Sequence, residues 1–298
     1  MAWVKSGVVK FCRLLADLFW KVSIGLNGML AKVSHGFGMP FEDAFWDSLT
    51  QRTRMVTHNS QTHGRVMFRI SQVNTITNWR AATLSTKEPE TLQWIDDFEP
   101  NWHFIDVGAN VGIYSLYYLS VRNGEALCVE PSVNNLQQLA INLKLNNFQS
   151  RSVIVPNPLV AIETNSVQMD TNSVQPGAAE SSAGGLISSA ALSYRISALT
   201  LDALTQDLPG PFALKIDVDG LETQILQGAS RLLASQKCRT VLVENDRENS
   251  QRKLKIESLL RQAGMRLDRE AYSELMTSNS TSDETVNQIW TRDLAGED

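Results

Sequence analysis

The sequence predicts an α/β fold: a doubly wound, mostly parallel sheet with helices on both faces and an N-terminal helical extension. Three observations predict it. From residue 102 onward, short apolar runs of strand length alternate with longer runs of helical period, the pattern of βαβ units. The first of these strands runs directly into a turn, Asp106-Val107-Gly108-Ala109-Asn110-Val111-Gly112. The 298 residues are 43% hydrophobic and 20% charged, which suits a globular core and excludes a disordered chain, a collagen or a coiled coil.

The elements follow in order. Residues 66–73 read as a strand. Residues 89–98 read as a helix, with Pro89 in the first turn and Leu92, Ile95 and Phe98 on one face. Just upstream, Trp79, Arg80, Thr83, Lys87 and Glu88 either wall a pocket or form a surface segment. Residues 102–107 are the first core strand. A helix over 111–120 turns Ile113, Leu116 and Tyr117 inward. Residues 126–130 form the next strand. The helix over 132–146 has Ser132 as a candidate cap and Leu136, Leu139 and Leu143 as its stripe. A strand at 152–155 follows.

The polar stretch 163–193, free of Lys and Arg from 164 onward, reads as a long loop or irregular hairpin and a candidate mobile lid. The alternation resumes with a strand at 212–217, a helix at 221–234, a strand at 240–244 and a helix at 252–263 closed by Gly264. Two last strands, 265–269 and 286–291, are expected to pair antiparallel at an edge.

The chain divides into a basic amphipathic helix (1–33), an extension and cap (34–100) and the main α/β domain (101–298). Residues 34–64 read as connector, with His58 and His63 as solvated loop histidines and not as a metal pair. In residues 1–33, Lys5, Lys10, Arg13, Lys21 and Lys32 face a single acid, Asp17, for a net +4 against −9 in the remainder. At helical spacing Val4, Val8, Phe11, Leu15, Leu18, Phe19 and Val22 oppose the charges. Such a helix either lies on an anionic membrane surface or packs on protein. No apolar run is long enough to span a bilayer. With a chain-wide charge of −5, nucleic acid is not an expected partner. Cys12, Cys128 and Cys238 are odd in number and widely spaced, which points to a reducing compartment. The expected location is therefore cytoplasmic, with peripheral contact at an inner membrane face as an extension of it.

In a parallel sheet the chemistry is expected beyond the strand carboxyl ends. Gly108 permits a tight turn, Asn110 can cap the following helix, and Gly112 allows close packing. The glycines read G-x-x-x-G and lack the middle glycine that a pyrophosphate requires. Asp106 at the mouth also suits a cationic ligand better than a phosphate. S-adenosylmethionine has an ammonium, a carboxylate and a sulfonium, and no phosphate. Glu130 ends the second strand, where a carboxylate can accept both hydroxyls of a ribose. The fourth strand ends Lys215-Ile216-Asp217-Val218-Asp219-Gly220-Leu221-Glu222, and the fifth ends Glu244-Asn245-Asp246. These acids could serve a metal, an ammonium or hydroxyl groups; no metal site is assigned.

Four passages together resemble the FkbM-type family of S-adenosylmethionine-dependent methyltransferases: KEPETLQWIDDF (87–98), FIDVGANVGIYSLY (104–117), VEP (129–131), and TLDAL with LKIDVDGLETQILQGA (200–229), supported by VLVEN (241–245). The resemblance spans about residues 79–260. It implies a class I methyltransferase fold with seven strands, one of them antiparallel, and methyl transfer, usually to oxygen and often on sugars or secondary metabolites. It assigns Asp106, Gly108, Asn110 and Gly112 to the cofactor turn and Glu130 to the ribose. It sets Lys215, Asp217, Asp219 and Glu222 along donor and acceptor, with Asp219 where the family usually has Glu.

The expected reaction is therefore O-methylation of a sugar, glycan or glycolipid hydroxyl. A small secondary metabolite is the alternative acceptor, and a noncatalytic protein retaining the fold is the alternative role. Asp217, Asp219 and Glu222 are candidate bases, Glu244 is a weaker one, and Lys215 is a candidate to hold an oxyanion or orient an acid.

Overall fold

A computed structural model describes residues 51–179, 181–184, 189–218, 220–246, 250–272 and 285–292, together with Lys10, Phe11, Leu14, Leu15, Asp17, Leu18, Lys21 and Val22. The chain forms two units, residues 1–52 and residues 53–298. In the first, the eight described residues from Lys10 to Val22 are helical and exposed, and Gln51 and Arg52 are exposed and not helical.

The second unit opens with a hairpin, β1 (Thr53–Ser60) and β2 (Gly64–Ser71), paired antiparallel along its full length. The sequence reading put a connector where β1 lies. The strand alternates, but only Val56 and Ser60 of β1 are buried, so the apolar signal is thin. Two helices follow. Asn74 and Thr77 form a reciprocal capping box at the start of α1 (Thr75–Lys87). Pro89 occupies the first turn of α2 (Pro89–Asp96). The sequence analysis did not resolve α1 as a helix, because its buried residues are Thr77, Ala81 and Leu84 and one leucine makes no stripe.

The core is a seven-stranded sheet in the order β11-β12-β10-β9-β3-β4-β5. Its members are β3 (His103–Val107), β4 (Ala126–Val129), β5 (Ser152–Val155), β9 (Phe212–Ile216), β10 (Cys238–Asp246), β11 (Met265–Tyr272) and β12 (Thr285–Arg292). All neighbours run parallel except β12, which is antiparallel to both β10 and β11. The expected antiparallel element is present, but β12 is inserted inside β11 and is not itself the edge.

Strand alternation divides the apolar residues between two layers. Phe104, Cys128, Ala213 and Leu242 face the layer of α2, α3 (Ile113–Val121) and α4 (Val133–Leu145). Ile105, Val107, Leu214 and Ile216 face the layer of α6 (Glu222–Gln227), α7 (Ser230–Ala234) and α8 (Ser250–Gln262). A short helix, α5 (Leu201–Thr205), precedes β9. The single helix expected over 221–234 is two, because the chain breaks at Gly228, where an added Cβ would lie 2.2 Å from the Val160 carbonyl oxygen.

The stretch 163–193 is not an irregular loop. It forms a separate three-stranded antiparallel sheet, β7-β6-β8, from β6 (Thr164–Thr171), β7 (Ser181–Ala183) and β8 (Leu192–Ala198). Val167 pairs with Ile196 and Met169 with Tyr194 across it, an apolar alternation disguised by the Ser, Thr, Asn and Gln around it.

Candidate active site

The order of the sheet reverses at β3: β4 and β5 lie on one side, β9 and β10 on the other. Ligands bind at such a switch point, beyond the strand ends. A cavity of about 260 Å³ opens there. From β3, β4, β9 and β10 it takes Gly108 with Asn110, Glu130, Asp217 and Glu244; α1 adds Arg80 and Lys87. The remaining wall comes from Asn135 on α4 and from Ala178, Ala179 and Ser181.

The turn after β3 is fixed by contact. Gly108 has φ of 85°, and a Cβ there would lie 2.0 Å from the Asp217 carbonyl oxygen. Glycine is therefore required by the neighbouring strand end as much as by the turn. Asn110, at φ 54°, accepts from the Val111 N–H at 2.9 Å. Glu130 accepts from the Asn110 N–H at 2.7 Å and from the Ser132 N–H at 2.8 Å, one on each carboxylate oxygen. Each oxygen keeps a second acceptor position. Burial pushes the Glu130 carboxyl up to about 7, against the pull of these N–H groups.

On the other side lies a set of charges. Lys215 is 1% exposed, bonds Asp217 at 2.6 Å and sits 4.9 Å above the Tyr114 ring. Burial works against its charge, but Asp217 and Asp106 outweigh that and hold its pKa above the ordinary lysine value. Burial likewise opposes ionisation of Asp217, yet Lys215 and Lys87 overcome it and keep this carboxyl well below the usual range. Glu244 hydrogen-bonds Asp217, and burial followed by the charges of Asp217 and Glu88 pushes it well above the usual range. Of the two, Asp217 is the acid held toward its ionised form and Glu244 the one held toward its neutral form. Lys87 pairs with the buried Glu88. Burial disfavours the Lys87 charge too, and Glu88 and Asp217 restore it.

The structure therefore brings Gly108, Asn110, Glu130 and Asp217 to one cavity. Four other expected residues do not line it. Asp106 is 1% exposed and accepts from the Ser115 hydroxyl at 2.6 Å; burial raises its pKa. It sits opposite Lys215 in the strand pairing and acts on the cavity through that lysine. Gly112 packs against Leu139 of α4. Lys215 lies beneath the cavity. Glu222 accepts from the Gly220 N–H and pairs with Arg252 at 3.5 Å; burial moves it up to about 7. Asp219 and the side chain of Asp246 lie outside the described residues. Among the described residues no cluster of three or more His, Cys, Asp or Glu is placed to hold a metal ion.

Sequence reading missed Asn135, Ala178, Ala179 and Ser181. A signal for the first existed: Asn135, Gln138 and Asn142 repeat at helical spacing on the buried face of α4, where an apolar stripe is usual.

The model of the methyltransferase FkbM domain matches residues 106–267, more than half of the chain and every strand end just described. The chain belongs to the FkbM methyltransferase family. No curated protein matches it. Solved structures similar to it include the precorrin-6y C5,15-methyltransferase of Geobacter metallireducens, at 14% identity and a TM-score of 0.42, covering 69% of this chain and 88% of that one. The ribosomal protein L11 methylase of Lactobacillus delbrueckii subsp. bulgaricus is similar at 12% identity and a TM-score of 0.39, covering 68% and 78%. Membership makes this FkbM protein an S-adenosylmethionine-dependent methyltransferase. The cavity fits that molecule on its own terms: it offers a carboxylate with spare acceptor positions at the end of β4 and further acid at the end of β9.

Proposed function

We propose that the protein transfers a methyl group to a hydroxyl oxygen of a sugar, glycan or glycolipid. The observation that carries this is the Asp217 carboxyl at the cavity wall, held at 2.6 Å by the buried Lys215 and joined in the same wall by Glu244. Bound S-adenosylmethionine supplies an electrophilic methyl group. Glu130 accepts the ribose hydroxyls, and the 108–110 turn holds the neighbouring part of the donor. Asp217 accepts a hydrogen bond from the acceptor hydroxyl and thereby aims its lone pair.

The C–O bond would form as the methyl carbon–sulfur bond breaks, its electron pair staying on the sulfur of S-adenosylhomocysteine, and the hydroxyl proton would then be strongly acidic. Even a weakly basic carboxylate then takes it without cost, so the low pKa of Asp217 is suited to the step. Lys215 stays charged throughout and keeps Asp217 ionised before the transfer. An amine acceptor would arrive as an ammonium and need a stronger base. The charged groups Arg80, Lys87, Asp217 and Glu244, set around Val218 on the acid side of the cavity, support a polyhydroxyl acceptor, whose hydroxyls they can hydrogen-bond.

The test is transfer of a labelled methyl group to a panel of free sugars, nucleotide sugars, lipid-linked glycans and small phenols. Label in an ether that survives mild base, on the carbohydrate members, is the expected result. Label on phenols or amines alone rejects the reading. Titration with S-adenosylhomocysteine, with NAD as control, checks the donor first.

For the N-terminal helix the fitting partner is an anionic membrane surface. Phe11, Leu14, Leu15, Leu18 and Val22 are all exposed and fall within one helical stripe, with Lys10 and Lys21 to one side. No described helix is long and apolar enough to cross a membrane. Full-length protein should pellet with phosphatidylglycerol vesicles and a chain lacking residues 1–33 should not; equal pelleting removes this role.

A further inference from the structure

Two described cations line the cavity, Arg80 and Lys87, both on α1. They are seven positions apart, so they share one helix face at about 10 Å along its axis. Their surroundings differ. Lys87 pairs with the buried Glu88. Lys215, beneath the cavity, pairs with Asp217 at 2.6 Å. Among the described residues Arg80 has no carboxylate partner. Its side chain is anchored instead through Nε, which donates to the Gly177 carbonyl at 2.7 Å.

That anchor is itself fixed. Asn74, the cap of α1, donates to the Pro176 carbonyl at 2.8 Å, and Asn110, from the turn after β3, donates to the Ala178 carbonyl at 3.0 Å. Asn135 accepts from the Gly177 N–H at 2.8 Å. With Nε engaged, the two Nη groups of Arg80 remain. They form a planar fork whose spacing matches the two oxygens of a carboxylate. A guanidinium already held in place loses less freedom on taking an anion.

The methyl donor always brings a carboxylate, whereas a polyhydroxyl acceptor brings no obligatory charge. Glu130, Asp217 and Glu244 line the same cavity and, as acids, disfavour a further negative group. Lys87 is already matched by Glu88. The anchoring points to the donor as well: Asn110, of the donor turn, bonds the residue next to the one that holds Arg80.

We propose that Arg80 is a donor-binding residue: its Nη groups take the carboxylate at the methionine end of S-adenosylmethionine. The proposal rests on the donor reading given above. Arg80 precedes residues 106–267, which the family model matches, so the extension ahead of the sheet completes the donor site.

Two probes differ by that group alone, S-adenosylhomocysteine and its decarboxylated form, S-adenosyl-3-thiopropylamine. Both are titrated by calorimetry into the full chain, Arg80→Met and Arg80→Lys, with folding checked by circular dichroism and melting. The readout is the ratio of the two dissociation constants, in which general damage to the cavity cancels. The unaltered protein should prefer the probe with the carboxylate by about 10–100-fold, the span for hydrogen bonds to a charged group. Arg80→Met should bring the ratio close to one. Arg80→Lys keeps the charge and loses the fork, so its ratio should fall between the two. It carries the test if Arg80→Met does not fold.

A ratio near one in the unaltered protein overturns the proposal. So does an unchanged ratio in folded Arg80→Met, even where both probes weaken equally, as loss of the Gly177 anchor alone would cause. An unchanged ratio in Arg80→Lys does the same where only that variant folds. An unchanged ratio with transfer lost to nucleotide sugars and kept to free sugars would assign the guanidinium to an anionic acceptor, and it equally overturns the proposal. Failure of the unaltered protein to bind either probe overturns the donor reading itself, a result separable from any change in the ratio.

Discussion

Two buried carboxylate clusters lie within the same layer of this protein, and they are built on different rules. At the first, Asp96 of α2 accepts from the Ser60 hydroxyl at 2.6 Å and from the Tyr117 hydroxyl at 2.7 Å. Both donors are neutral. Burial and the Asp96 charge hold the Tyr117 hydroxyl well above its ordinary pKa, so it keeps its proton. At the second, Asp217 is surrounded by ions: Lys215 and Lys87 on one side, the acid Glu244 on the other. The first carboxylate is solvated by hydroxyls, with His63 a further 3.8 Å away, and does not line the cavity at the strand ends. The second is held by the Lys215 ammonium at 2.6 Å and lines that cavity together with Glu244. Burial of an acid is common to both; only the second meets space that a ligand can fill.

The difference can be broken most sharply at Asp217. Asp217→Asn should lower methyl transfer by roughly 10²–10⁴-fold, the range for loss of a proton acceptor, read as initial rates on folded protein with any identified acceptor. It should also cost stability, because the buried Lys215 ammonium loses its nearest carboxylate. The mirror experiment is Ser60→Ala. It leaves one oxygen of a buried carboxylate without its hydroxyl donor and should cost about 1–3 kcal/mol of stability, read by urea unfolding, with donor affinity and methyl transfer unaltered. Activity lost at Ser60, or kept at Asp217, would overthrow the distinction.

A third measurement sharpens it through pH. Glu130 ionises at about 7 in the folded chain, and ribose hydroxyls bond best to the ionised form. Affinity for S-adenosylhomocysteine should therefore rise about tenfold between pH 6 and 8, following the ionised fraction. Glu130→Gln should flatten the curve.

The smallest effect concerns Glu222, also raised to about 7 from 4.5. The folded chain holds a proton that the unfolded chain releases between those values. Its contribution to stability is complete below pH 4.5 and declines as pH rises through 7. Glu222→Gln should flatten the fall in melting temperature between pH 5 and 8, and should do so without abolishing donor binding, because Glu222 pairs with Arg252 outside the cavity.

The parts of this fold that were legible in the sequence are those whose signal is periodic and apolar. β3, β4 and β9 read as strands because Phe104, Leu127, Leu214 and their neighbours are buried on both faces; β5 read as one from its Val153-Ile154-Val155 run, although only Val155 is buried; and the Gly108 turn read as a ligand turn because its glycine follows a buried strand. α1 was hidden because its order comes from a capping box and one buried leucine and not from a stripe, and the β7-β6-β8 sheet because its short apolar alternation, Val167 and Met169 against Ile196 and Tyr194, lies in a polar run. At the site, Glu130 and Asp217 could be placed by strand ends alone. The position of Asp106 under the sheet could not, because it depends on which neighbour, Ser115 or the cavity, lies nearer the side chain. Asn135 was legible only as an anomaly, an amide where helical period called for a leucine.

The insertion of β12 has a consequence for how the molecule is made. β11 precedes β12 in the chain, yet it can join the sheet only across β12. Until residues 285–292 have been synthesised, β10 and β11 both present unpaired backbone edges. A ribosome-bound chain therefore carries a nearly complete donor site beside an unfinished edge, the state in which wrong pairing is easiest. Trp290 is fully buried once β12 is in place, so burial of this indole marks the moment when the nascent sheet closes.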